Sequence, residues 1–276
     1  MSADLSAETI NVAISPCPND SFIFSAWVMG LIPDLENSRT RFFWQDIDVL
    51  NRWAAQGKCR VTKVSASQAL EMEEACEILS AGGAFGLEHG PKLVSRRGLG
   101  KRPEKIAVPG LQTTAFTLLR SALDYEFEPL SMPFNQIVDG ILAGKAEAGL
   151  LIHETALLYR DYKLDLVLDL GRWWENQTSG LPLPLGCVVL RKGSDPGLKS
   201  LVEEQIRASL DAGRAQRSVI MPLVVHLAQE LDPKVIDRHI QAYVNEYTRD
   251  MGPQGAQALE VLRALKHTAR QSAAKK

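Results

Sequence analysis

Cysteine is scarce. The chain has four, Cys17, Cys59, Cys76 and Cys187, and no two stand at Cys-x-x-Cys spacing. A disulfide framework is not expected in a chain of 276 residues, and the pattern fits a reducing compartment. Charge of one sign is missing too: the net charge is −2, so no field draws the protein toward nucleic acid or an anionic membrane. No apolar run reaches the ~20 residues of a membrane span. The opening MSADLSAETI carries neither the basic nor the apolar region of a secretory leader. The expectation is a cytoplasmic protein with no nucleic-acid and no membrane partner.

The common chemical motifs are absent as well. No Gly-x-x-x-x-Gly-Lys-Ser/Thr occurs at a strand-helix junction, and no Gly-x-Gly-x-x-Gly follows a strand. GGAFG has the glycines but lies between a helix and a strand, the wrong context for a dinucleotide. No Gly-x-Ser-x-Gly elbow is present, and His153-Glu154 is not His-Glu-x-x-His. No Cys/His cluster has zinc spacing. These absences leave metal, nucleotide-phosphate, dinucleotide and Ser-His-Asp chemistry poorly supported.

What is present is an α/β alternation with 45% hydrophobic residues, enough for two lobes. Strands are expected near 10–15, 41–47, 59–66, 92–97, 105–110, 147–152 and 185–191, with helices between them. ASQALEMEEACEILS reads as one helix, and from about 195 onward the chain reads as helical. The first run lacks a closing helical segment, so the last ~80 residues are expected to pack back on it. Residues 1–100 and 193–276 then form a larger, discontinuous lobe and 101–192 a smaller one. The sheets are mixed, and ligand is expected at strand carboxyl ends and in a cleft between lobes.

Several residues carry possible chemistry. In AEAGLLIHE a strand ends in His153. An imidazole with its ordinary pKa of ~6.5 suits proton transfer there, and a hydrogen-bonded strand-end histidine is the equal alternative. In VPGLQTTAF, Thr113-Thr114 open a helix whose free amides suit an anion, or simply an ordinary cap. Lys63 and Ser65 share one side of an extended segment and reach a polar ligand, or are an exposed lysine and a capping serine. SPCPND makes the first strand-to-helix turn: its prolines fix the backbone, Asn19 or Asp20 caps the helix, and Asn19 is a candidate ligand contact. Cys17 reads as structural. Trp173-Trp174 read as a packed loop or as an aromatic wall. His89 follows a Gly-rich loop, while His226, His239 and His267 lie in helix-like segments and read as surface or packing residues. Arg96-Arg97 and Lys101-Arg102 read as a solvated loop.

Taken together, SPCPNDSFIF, LNRWA, TKVS, VPGLQTTAF, AEAGLLIHE, DLGRWWE, LPLPLG and YVNEYT resemble the 1,4-dihydroxy-6-naphthoate synthase family of the futalosine route to menaquinone. The matches keep family order from about residue 11 to about 250, and Ser21 stands where members often carry threonine. The resemblance implies a two-lobed type II periplasmic-binding-protein-like fold. It implies a cofactor-free carbon–carbon lyase that turns cyclic dehypoxanthine futalosine into 1,4-dihydroxy-6-naphthoate. By the same resemblance His153 is the proton acceptor, and Lys63, Val64, Ser65, Thr114 and Ala115 contact substrate. The rival is a solute-binding or sensing protein of the same fold that does no chemistry.

Overall fold

A computed structural model describes residues 8–36, 38–99, 102–193, 197–228 and 232–274. Lys101 and most of the polar N-terminal stretch lie outside the described residues. The first strands are β1 (Glu8–Ile14), β2 (Ser38–Trp44), β3 (Val61–Ser65), β4 (Cys76–Ile78), β5 (Ala84–Gly86) and β6 (Lys92–Arg96). They are followed by β7 (Lys105–Val108), β8 (Glu128–Ser131), β9 (Ala148–Leu151), β10 (Leu164–Asp169) and β11 (Leu183–Arg191). The helices begin with α1 (Pro18–Val28), α2 (Ile47–Ala55), α3 (Ala66–Glu71), α4 (Thr114–Ala122), α5 (Ile137–Leu142) and α6 (His153–Leu157). Then come α7 (Leu170–Thr178), α8 (Leu198–Ala215), α9 (Arg217–Leu227), α10 (Pro233–Tyr243), α11 (Glu246–Arg249) and α12 (Gly252–Ala274). A 3-10 turn covers Phe134–Gln136.

Two compact units form. The first takes the chain up to Val64, then Glu71–Ala84 and Gly186–Met251. Its sheet runs in the order β2-β1-β3-β11-β4, with β1 parallel to β2 and β3, and β11 antiparallel to β4. Ile10, Val12 and Ile14 of β1 are buried together with Val61, Val188 and Leu190. Helix α1 is buried at every position from Pro18 to Trp27, because α8, α9 and α10 all pack on it. A helix covered on all sides has no need of an apolar stripe, so Phe22, Ile23 and Phe24 stand consecutively.

The second unit takes Ser65–Leu70, Phe85–Leu185 and the chain from Gly252. Its sheet runs β10-β6-β9-β7-β8. Strand β7 is parallel to β8 and β9, and β6 is antiparallel to β9 and β10. Helix α5 packs closely over this sheet: a Cβ at Gly149 would lie 2.5 Å from Ile137 Cγ2, so only glycine allows the approach.

The expected α/β class and mixed sheets are found, while several local expectations change. Residues 65–70 and 85–99, assigned above to the first lobe, join the second unit, where β6 pairs with β9, and 186–192, assigned to the smaller lobe, join the first with β11. The segment from Gly252 joins it as well, since α12 packs on α4. The long helix expected over ASQALEMEEACEILS ends at Glu71. Its second half turns at Met72, whose carbonyl accepts from Cys76 N at 2.7 Å, and becomes β4, paired with Val189–Arg191. Glu73 and Glu74 fall in the turn, and sheet pairing with Leu190 overrides the helix preference of Glu77.

Candidate active site

In the second unit β9, β7 and β8 are adjacent and parallel, so their carboxyl ends share one edge of the sheet. Ligands in α/β folds gather at such edges. The loop after β7 leads to Thr113, which caps α4: its Oγ1 accepts from Phe116 N at 3.2 Å. Among the described residues, the amides of Thr114 and Ala115 in the first turn of α4 have no intramolecular acceptor. Both residues are nearly buried, so these two donors suit a bound anion better than bulk water.

The Thr114 hydroxyl is already committed. It accepts from Ser67 N at 3.0 Å and donates to the Leu185 carbonyl at 3.0 Å. Ser67 Oγ lies 2.7 Å from Thr117 Oγ1, and Lys266 Nζ of α12 donates to Ser67 O and Oγ at 2.5 and 2.9 Å. The segment that starts at Ser65 is thus tied to the start of α4. What Thr114 has left to offer a ligand is its N–H.

His153 follows β9 on the same edge and is half-buried. Its φ is 55°, in the left-handed region that side-chain-bearing residues seldom adopt. Its ring meets that of Phe134 edge to face, with centroids 4.8 Å apart and planes at 67°. Strain of this kind is held in place only where the surroundings over-determine it, which is common at functional sites. Glu154 beside it is buried.

In the first unit the SPCPND turn organises a buried polar network. Asp20 accepts from Ser15 Oγ at 2.7 Å and from Asn19 Nδ2 at 2.8 Å, and pairs with Lys63 Nζ at 2.7 Å. Lys63 also donates to the Gly82 carbonyl at 2.7 Å. Its side chain is only 2% exposed, so its charge is neutralised inside the protein by Asp20. Gly186 makes room for it: a Cβ there would sit 3.2 Å from Lys63 Cε and 3.2 Å from Val64 O. Asn19 Oδ1 lies 3.0 Å from His239 Nε2.

The expected capping role of Asn19 or Asp20 is not what the turn does. Helix α1 starts at Pro18, with Cys17 at the cap position and no side-chain cap. Asn19 and Asp20 sit in its first turn and face the network instead. His239, read as surface or packing, is buried and packs on Tyr243; what sequence reasoning missed is its hydrogen bond to Asn19. The available signal was the buried face of α10, where Val235, Ile236, His239, Ile240 and Tyr243 recur at helical spacing. His226 and His267 are exposed.

Trp173-Trp174 lie not in a loop but in helix α7, capped by Asp169, which also pairs with Lys92. Trp174 is buried and its Nε1 donates to Leu181 O at 2.8 Å, a packing role. All four cysteines are free and buried. Burial pushes the Cys187 thiol up to about 12, against a smaller opposing effect of the Lys63 charge.

Of the candidate residues, Thr114, Ala115 and His153 share one edge, and Ser65 heads the segment braced to it. Lys63 and Asn19 meet through Asp20 in the first unit. Val64 is fully buried beside Lys63 and is the last residue before the chain enters the second unit. Among the described residues, no helix is long and apolar enough to cross a membrane.

The model of a family described as menaquinone biosynthesis matches residues 10–268. A 1,4-dihydroxy-6-naphthoate synthase of Streptomyces coelicolor is 37% identical over 264 residues, 94% of this chain and 93% of that protein. One of Thermus thermophilus is 37% identical over 260 residues, 91% of this chain and 92% of that protein. A crystal structure from Archaeoglobus fulgidus superposes with a TM-score of 0.89 at 33% identity, covering 94% of this chain and 97% of the other. The alkanesulfonate-binding protein of Xanthomonas axonopodis pv. citri is similar in fold alone, with a TM-score of 0.67 at 14% identity, covering 98% and 95%. By these matches along nearly its whole length, the chain belongs to the menaquinone-biosynthesis family that holds the 1,4-dihydroxy-6-naphthoate synthases.

Proposed function

We propose that this chain is a carbon–carbon lyase that converts cyclic dehypoxanthine futalosine into 1,4-dihydroxy-6-naphthoate, with His153 as the general base. The observation that carries this reading is His153 itself, on a strained backbone at the carboxyl edge that also bears the open amides of Thr114 and Ala115. Neutral His153 takes a proton from the substrate. Retro-aldol type cleavage and elimination follow, releasing a three-carbon fragment and leaving an aromatic naphthalene diol. Aromatisation supplies the driving force, so the protein's task is to position the substrate and provide one base.

The amides of Thr114 and Ala115 hold the substrate's anionic part, and the positive end of α4 favours that charge. The Lys63–Ser65 segment supplies further contacts. Lys63 serves there through the backbone it anchors, because its ammonium is engaged by Asp20 and Gly82. Asn19 acts in the same indirect way, through Asp20. The reaction takes place in the cytoplasm.

The test is a turnover assay with purified protein and cyclic dehypoxanthine futalosine, without added metal or nucleotide. Formation of the naphthoate, reduced by ~10²-fold or more in His153→Ala, is the expected result. Equal turnover by both proteins removes His153 from its role. Substrate bound and recovered intact from both would make this a binding protein.

A further inference from the structure

We propose that Phe134 is a positioning residue for His153, its ring fixing the orientation in which the imidazole meets the substrate. The proposal rests on the reading of His153 as the base. It begins with strand order. Phe134 follows β8 and His153 follows β9, and β7 lies between these strands. Neighbouring strands stand about 4.8 Å apart, so the two carboxyl ends are separated by about 10 Å. The ring centroids are nonetheless only 4.8 Å apart. The two side chains therefore lean toward each other across the end of β7, the strand that leads into α4.

Both partners are anchored at the backbone. The φ of 55° at His153 fixes the direction of its Cα–Cβ bond, leaving only side-chain torsions to set the imidazole. On the other side, Met132 N donates to Val108 O at 3.1 Å, tying the exit of β8 to the exit of β7. Gln136 N then closes the turn on Pro133 O at 2.9 Å, with Phe134 inside it. Phe134 is 6% exposed and half-buried His153 is its ring partner, so the phenyl group is a fixed surface against which the more accessible imidazole rests. An edge-to-face pair has a preferred geometry, and swinging the imidazole about its Cβ–Cγ bond breaks it. A general base must reach its proton within hydrogen-bonding distance, and small misplacements are costly to the rate.

The experiment compares wild type with Phe134→Leu, Phe134→Tyr and His153→Ala. Two readouts are taken: kcat and KM on cyclic dehypoxanthine futalosine, and the ring resonances of isotope-labelled histidine, with those of His153 identified by their loss in His153→Ala. Phe134→Leu is expected to move the His153 resonances and to lower kcat by ~10- to 100-fold with little change in KM. Phe134→Tyr, which keeps the ring, is expected to restore both. If leucine unfolds the chain, Phe134→Met takes its place, since methionine fills similar space without a ring. Unmoved His153 resonances in the ringless variant would overturn the proposal. So would a fall in kcat shared equally by Phe134→Tyr, or an effect confined to KM, which would make Phe134 a wall for the substrate. Full activity in His153→Ala refutes the base instead, and the resonances still report whether Phe134 orients the ring.

Discussion

His239 Nε2 lies 3.0 Å from Asn19 Oδ1, a contact between residues 220 positions apart that fastens α10 to the first turn of α1. The direction of the bond follows from Asn19's other partner. Asn19 Nδ2 donates to Asp20 Oδ1, so Oδ1 is the acceptor and His239 donates from Nε2. Both residues are buried, so removing one leaves a polar group without its partner. Asn19→Ala is expected to cost about 1–3 kcal/mol of stability. Urea unfolding reads this as a lower midpoint at unchanged slope, and a midpoint equal to wild type would show that the contact contributes nothing.

Asp20 and Lys63 form an ion pair almost wholly out of water. Such a pair contributes little net stability but is costly to break on one side. Asp20→Asn is expected to lose about 3–5 kcal/mol, because the Lys63 ammonium stays buried without its counter-charge. Combining Asp20→Asn with Lys63→Met is expected to recover much of that loss. A double variant no more stable than Asp20→Asn would mean that the lost charge is not the cause.

The left-handed φ of His153 separates stability from activity. Glycine adopts this conformation freely, while a Cβ makes it cost about 1–2 kcal/mol. His153→Gly is therefore expected to be more stable than His153→Ala by about 1 kcal/mol, even though glycine normally weakens a fold. Both variants are expected to lose ~10²-fold or more of the activity. Thermal unfolding of the pair is the check, and alanine proving the more stable would remove the argument from backbone strain.

The readable part of the site was the part that local sequence writes. The cap at Thr113, the strand leading to His153 and the Pro-rich turn after β1 are each set by neighbours a few residues away. Contacts that join distant segments were not readable. Asn19 looked like a helix cap because its class favours caps, but its side chain is turned to Asp20 and to His239 in another part of the chain. Lys63 looked available to a ligand because nothing near it in sequence neutralises it, whereas Asp20 does so across the sheet edge. The same reason explains β4, whose helix-forming Glu77 is claimed by pairing with β11, and α12, which packs on α4.

Cys187 makes stability depend on alkaline pH. Its thiol has an ordinary value of 9.0 and is pushed by burial up to about 12 in the folded protein. Below pH 9.0 it carries its proton in both states and has no effect. Between 9.0 and about 12 the unfolded chain has released that proton and the folded chain has kept it. The unfolded state then binds fewer protons, so stability falls as pH rises, by about 1.4 kcal/mol per unit for one such group. Cys59 and Cys76 are raised by burial too and add to the same limb. Cys187→Ala removes the largest of these groups and is expected to flatten the decline. The measurement is the urea midpoint of both proteins from pH 8 to 11, buffered in steps of roughly one unit. Parallel curves would mean that the thiol ionises as easily inside the fold as outside it, which would contradict its complete burial.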